Sequence, residues 1–340
     1  ASPARTVQLA SQSGAGMDIC PIGPEDHGEF VALLEAGMRP EPAPTRVADD
    51  FPLAVAADNH DGLWGIRDET GWIAGLASLT REFATSVGPL PVAAIGSVVT
   101  RPDRRGRGLS ARLQDHALAR FAARGVPLAV LWTDQPAIYA GRGFAPAGWE
   151  YHLVIDDLPV ADLWPPGGEL HVLSAAEADD LAALYARHPL RTLRRPGDDA
   201  RLYGMPGTAL RGLRRDGRLV AHACCGKGVD FPGYVAEWGG DTLAALALLA
   251  RIGAGSLATR ALVPCGREDL LEAAVACGAG FALAPSGFWA VIDAEVLADV
   301  AGPVAAGRER EAAAWLGEPQ ADGSVSEGRI EIAVWGLDSV

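Results

Sequence analysis

Lysine is nearly missing from this chain: Lys227 stands alone among 29 basic residues, and all the others are arginine. Its surroundings, "CCGKGVD", do not fit the GxxxxGK[ST] pattern, which excludes a P-loop nucleotide site. Cysteine is also scarce. The five (Cys20, Cys224, Cys225, Cys265, Cys277) are odd in number, with neither CxxC spacing nor histidine partners at zinc spacing. That argues against a disulfide framework and a structural metal, and it suits a reducing, cytoplasmic setting. No apolar run reaches the roughly 20 residues that a membrane-spanning helix needs, so no membrane partner is expected. The first sixteen residues lack the apolar core of a secretory signal; Met17 is the expected natural start, and 1–16 read as a disordered leader or a non-native remnant. Basic residues are outnumbered overall, giving a net charge of −14. That balance argues against a nucleic-acid partner, and it favours the approach of a cationic small molecule.

The 340 residues are 49% hydrophobic, enough for one or two domains with real cores. From Met17 the pattern predicts a strand ("MDICPI"), then a helix ("GPEDHGEFVALLEAGM") with acidic residues in its first turn. A hairpin ("GLWGIRDETGWIAGLASLTREF"), a strand ("PVAAIGSVVT") and an amphipathic helix closed by Gly125 come next. A buried strand ("PLAVLWT"), a short helix ("QPAIYAGRG") and a closing strand ("FAPAGWEYHLVID") complete a first half, 17–156. The Pro- and Gly-rich stretch 157–168 reads as a linker. The same element order then recurs over 169–293, with its hairpin at Asp216-Gly217 and "GFWAVID" as its closing strand. Residues 294–340 add a C-terminal helix ("REREAAAWLG") and a strand ("GRIEIAVWG"). The expected class is α/β (α+β): two tandem copies of one fold, each a mixed central sheet flanked by helices.

Between the strand ending at Thr100 and the following helix lies "RPDRRGRGLS". A strand that runs through a glycine-containing loop into a helix presents unpaired backbone N–H groups and the positive end of the helix dipole, an anion site. Gly106 and Gly108 allow close approach of a ligand to the backbone, while Arg104, Arg105 and Arg107 offer forked donors suited to phosphate. Gly106, Gly108 and Ala111 also match GxGxxA, so a dinucleotide-binding oxidoreductase is a rival. Against that rival, "RPDRR" separates the strand from the first glycine, where the fingerprint needs a tight turn.

The segment Arg105-Gly106-Arg107-Gly108-Leu109-Ser110 resembles the acyl-coenzyme A loop of the GCN5-related N-acetyltransferase (GNAT) superfamily, with Ser at the last position where Gly or Ala is usual. "AIYAGRGFAPAG" resembles that superfamily's Tyr-x-x-x-Gly-Phe segment at the matching place. The tandem arrangement is similar to enhanced-intracellular-survival aminoglycoside acetyltransferases and mycothiol synthases. The resemblance implies acyl-CoA as co-substrate, without a metal. The backbone of Val98 and Thr100 would then hold pantetheine, and Arg105, Gly106, Arg107, Gly108, Leu109 and Ser110 the pyrophosphate. A backbone N–H near Val99 would stabilise the oxyanion. The corresponding turn of the second half, "EWGGDTLAAL", has no arginine and carries Asp241 at its helix start, so one coenzyme site per chain is expected.

Acyl transfer to an amine needs a neutral nucleophile, a stabilised oxyanion and a proton for the departing thiolate. Tyr139 is the candidate acid, since a phenol of pKa about 10 is protonated at neutral pH. The base stays open among Asp134, His188, Glu82 and the C-terminal carboxylate of Val340. Trp132 and Trp164 are candidate acceptor walls, with Glu82 beside them. The resulting expectation is an N-acyltransferase acting on a small-molecule amine, such as the amino sugar of an aminoglycoside or glycopeptide antibiotic. The alternatives are a non-catalytic acyl-CoA sensor and the dinucleotide oxidoreductase.

Overall fold

The structure, a computed structural model, describes residues 17–39 and 43–339. The expected leader 1–16 and Val340 lie outside the described residues.

The first half runs β1 (Ile19–Pro21), α1 (His27–Met38), α2 (Val47–Asp50), β2 (Leu63–Asp68), β3 (Gly71–Thr85), β4 (Gly88–Thr100), α3 (Leu109–Ala123), β5 (Leu128–Leu131), α4 (Ala137–Ala140) and β6 (Ala145–Ala147). The chain continues through β7 (Glu150–Val154), α5 (Val160–Leu163), β8 (Gly168–Val172), α6 (Ala178–Tyr185), β9 (Arg191–Leu193), α7 (Asp198–Tyr203), β10 (Ala209–Arg215) and β11 (Arg218–Cys225). The second half ends with β12 (Tyr234–Gly240), α8 (Thr242–Ala254), β13 (Arg260–Pro264), α9 (Glu268–Ala276), β14 (Phe281–Ala284) and β15 (Gly287–Val291). Two short helices follow, α10 (Ala294–Ala301) and α11 (Ala312–Leu316).

These strands build two mixed sheets flanked by helices, in the orders β1-β2-β3-β4-β5-β15-β6, with β9 added on β3, and β14-β7-β13-β12-β11-β10-β8. Among the described residues each sheet has a single parallel junction, β4 with β5 and β12 with β13. That leaves no run of parallel strands for a dinucleotide fold, and the GxGxxA match loses its context.

The closing strands depart from expectation. "FAPAGWEYHLVID" is not one strand: Gly148 takes a left-handed φ of +64°, and its N–H donates to Gly317 O at 2.8 Å. The chain turns there, so β6 stays in the first sheet while β7 inserts between β13 and β14 of the second. Reciprocally, β15 from the end of the second half lies between β5 and β6. The halves thus exchange strands, and neither sheet is complete without a segment that the sequence assigns to the other. The linker 157–168 is folded too. It contains α5, and Val160, Leu163 and Trp164 pack on the second half's core.

The expected strand "GRIEIAVWG" is instead an extended strap. Ile330, Ile332, Ala333, Val334 and Trp335 are all buried, so no alternation remains for a half-exposed strand. Its polar backbone is met piecemeal, by Ser86, by the Cys265 thiol and by neighbouring turns. Beyond it, Asp338 accepts from Tyr185 Oη at 2.8 Å and from Arg194 Nε at 2.9 Å. Arg194 also pairs with Glu237, whose other oxygen accepts from Tyr203 Oη at 2.8 Å. One core cluster holds Phe30 and Phe51 of the first half together with Leu173, Leu202 and Cys224 of the second. The strap and this shared core bind the halves into one body.

Candidate active site

The β4–β5 pairing covers only Val92–Ala94 against Leu128–Val130. Beyond Ala94 a bulge, with Ser97 and Val98 facing Leu76 alone, turns β4 away from β5. Ser97 adopts a left-handed φ of +47°, a strained geometry for a residue with a Cβ. The strands splay, and the gap opens into a cavity of about 950 Å³. Val98, Val99 and Thr100 line one wall; Trp132, Asp134 and Tyr139 line the other. Trp132 is held there by the exchanged segment: its Nε1–H donates to Ser286 O at 3.0 Å, beside the start of β15.

At the mouth, Gly106 and Gly108 have φ of +75° and +71°, and nothing lies within 4 Å of where a Cβ would be. The first hydrogen bond of α3 runs from Arg112 N to Gly108 O at 3.1 Å, which leaves the N–H groups of Leu109, Ser110 and Ala111 without helical partners. Arg105 lines the cavity and donates from Nε to Thr100 O at 3.3 Å. Arg104 also lines it, but is committed to Asp68 at 3.0 Å and Asp103 at 2.6 Å. Arg107 is exposed and outside the lining. Thr100 Oγ1 is buried and has no hydrogen-bond partner among the described residues. Unpaired N–H groups at an open glycine turn, together with a buried hydroxyl on the same strand, fit a ligand with a pyrophosphate and a polar arm. In the second half the corresponding helix start is closed, because Asp241 Oδ1 accepts from Ala244 N at 3.0 Å.

Tyr139 is half-buried and packs edge-on against Phe144 at 6.2 Å. Burial, reinforced by the Asp134 carboxylate, holds its phenol above the ordinary value, so it stays protonated. Three other candidates fall outside the cavity. Glu82 is exposed on β3 between Pro91 and Leu193. Trp164 donates to Gly168 O at 3.2 Å and packs in the second core. His188 is 1% exposed, against Trp335 at 4.2 Å, with Nε2–H donating to Trp238 O at 2.7 Å and Nδ1 accepting from Arg267 at 2.8 Å. Both ring nitrogens are committed, and burial lowers its pKa to about 3. It is a structural histidine, not a catalytic one. Cys224 and Cys225 are buried with thiols pushed up, Cys225 to about 12, which makes neither a nucleophile. His222, Cys224 and Glu237 bring donor atoms within 4.8 Å of one another, yet Glu237 is already engaged by Arg194 and Tyr203.

The second half contributes a wall that the sequence did not reveal. Val229, Asp230 and Phe231, from the loop between β11 and β12, line the cavity with Phe51 and Ser339. The visible signal was the lone lysine between two glycines in "CCGKGVD", which marks a constrained loop without naming its target.

Residues 18–147 match the family model described as an acetyltransferase (GNAT) domain. This segment is similar to a GNAT acetyltransferase domain. The match spans β1 to β6, and so takes in the cradle and Tyr139. An uncharacterized N-acetyltransferase of Streptomyces griseus is 32% identical over 137 residues, 39% of this chain and 32% of that protein. The chain therefore spans about a third of the length of the curated relatives it matches. Among solved structures, a GCN5-related N-acetyltransferase from Kribbella flavida aligns over 93% of this chain and 83% of its own, with TM-score 0.62 and 17% identity. Eis1 from Mycobacterium abscessus aligns over 84% of this chain and 76% of its own, with TM-score 0.58 and 17% identity. At these identities the likeness is one of fold: it extends the GNAT-like architecture across both halves. No helix among the described residues is long and apolar enough to cross a membrane.

Proposed function

We propose that the chain is an acyl-CoA-dependent N-acyltransferase, with one coenzyme site, acting on a small-molecule amine. The observation that carries this reading is the splay of β4 from β5. It opens a polar-edged slot between an anion-binding turn at one end and a protonated phenol on the facing wall.

In this reading the N–H groups at Gly106 to Ser110 and the Arg105 guanidinium hold the pyrophosphate, while the β4 backbone and Thr100 align the pantetheine arm. Arg107 adds charge at the rim. A neutral amine attacks the thioester carbonyl, and a backbone N–H near Val99 stabilises the oxyanion. Tyr139 donates its proton to the departing thiolate. Asp134 is the choice for drawing off the ammonium proton, because its carboxylate lines the same wall as Tyr139. With both adjacent thiols buried, the transfer is direct. The acceptor we favour is an amino sugar of an antibiotic-type natural product, a reading supported by the net charge of −14 and by a cavity of about 950 Å³ with aromatic walls.

Calorimetric titration with acetyl-CoA, octanoyl-CoA and NADH, on the wild type and on an Arg105→Ala/Arg107→Ala variant, tests the reading. Binding of a CoA ester that the variant loses supports it, and the tighter ester reports the acyl length. Binding of NADH alone overturns it.

A further inference from the structure

The loop Gly226–Gly233 is built as a fixed arm. Gly226, Gly228 and Gly233 have φ of +78°, +52° and +74°, and a Cβ on Gly228 would lie 1.8 Å from Asp50 Oδ1. Gly226 N–H donates to Tyr234 O at 2.8 Å, and Thr208 Oγ1 donates to Gly226 O at 3.1 Å. Lys227 is fully buried and donates from Nζ to Gly336 O at 3.3 Å, to Ser339 Oγ at 2.9 Å and to Ser339 O. This lysine ties the loop to the strap instead of facing a ligand.

The tip of the arm carries Asp230 into the cavity. Its side chain is 34% exposed, and it makes no side-chain hydrogen bond among the described residues. Its nearest cation is Arg39 Nη2 at 3.8 Å, and that nitrogen is already bonded to Asp50 Oδ2 at 2.7 Å. Burial raises the Asp230 pKa even with Lys227 and Arg39 nearby, so the carboxylate is undercompensated. Phe231, next in the chain, and Phe51, across from it, give the subsite apolar flanks. An ammonium seated here would meet a carboxylate with open acceptor positions, walled by rings whose faces attract cations.

An amine about to attack a thioester must be neutral, whereas a group recognised by Asp230 must be charged. The two requirements fall on different nitrogens. We propose that Asp230 is a specificity-determining residue that binds a second ammonium group, so that the preferred acceptors carry at least two amines; its part in acceptor choice rests on the acyltransferase reading above.

Cadaverine and aminopentanol differ only in the second amine, and calorimetric titration of each, with and without coenzyme A, isolates the subsite. Wild-type protein is expected to bind cadaverine about 10- to 100-fold more tightly, the range for a charge-assisted pair. Asp230→Asn should abolish that preference while coenzyme affinity stays the same, and Asp134→Asn should keep it. No preference in the wild type, or a preference that survives Asp230→Asn, overturns the inference. Coenzyme binding is read in the same experiment. A diamine preference without any binding of coenzyme sinks the acyltransferase reading, while coenzyme binding without the preference sinks only the subsite.

Discussion

His188 gives a sharp test, because burial is the largest influence on its chemistry. The imidazole lies between Trp238 and Trp335, with Nε2–H on the Trp238 carbonyl and Nδ1 accepting from Arg267. A proton on Nδ1 would face the Arg267 guanidinium. Burial, with Arg267 added, outweighs the carbonyl and moves the pKa from 6.5 to about 3. The folded protein therefore holds a neutral ring where the unfolded chain takes up a proton. With a depressed folded pKa, the stabilisation is complete above pH 6.5 and is lost as pH falls toward 3. Each pH step below 6.5 costs about 1.4 kcal/mol, so about 2 kcal/mol disappears by pH 5. His188→Gln keeps a donor for Trp238 but does not titrate. At pH 7 the variant should be less stable by about 1–3 kcal/mol, because Arg267 loses an acceptor in a buried site. Urea unfolding of both proteins at pH 7 and pH 5 should then show the gap between them shrinking by about 2 kcal/mol. A gap that stays constant between the two pH values refutes the reasoning. Since the ring lies away from the cavity, kcat of the folded variant at neutral pH should match wild type.

Tyr139→Phe should lower kcat by about 10²- to 10⁴-fold in steady-state assays of thiol release, while acetyl-CoA affinity holds in calorimetry. A non-catalytic sensor would show no turnover to lose. Arg194→Leu strands Glu237 and Asp338 beneath the strap. It should destabilise the fold by about 3–5 kcal/mol in denaturant unfolding; an unchanged midpoint would show that the network is dispensable.

Much of the site was legible because it is local. The Arg/Gly turn, the strand before it and the helix after it are contiguous, and local rules of glycine conformation and helix polarity suffice to read an anion cradle there. Tyr139 was legible from its motif for the same reason. Arg104 was misread because its partner Asp68 ends β2, separated from β4 in the sheet by β3. His188 was misplaced because a histidine in sequence does not announce which tryptophans will enclose it.

The sequence by itself determined most of the element order, the recurrence of that order in a second half and the glycine-rich turn between β4 and α3, all of which follow from periodicity and short-range backbone preference. Only the tertiary structure decided which sheet each closing strand joins. β6 and β7 are parted by one left-handed glycine, and a strand's own side chains do not name its neighbour. It also decided that Asp230 reaches a cavity built by the other half. That placement depends on a buried lysine, a strap from the chain's end and a glycine pressed against Asp50, contacts that span more than a hundred residues and leave no trace in any local pattern.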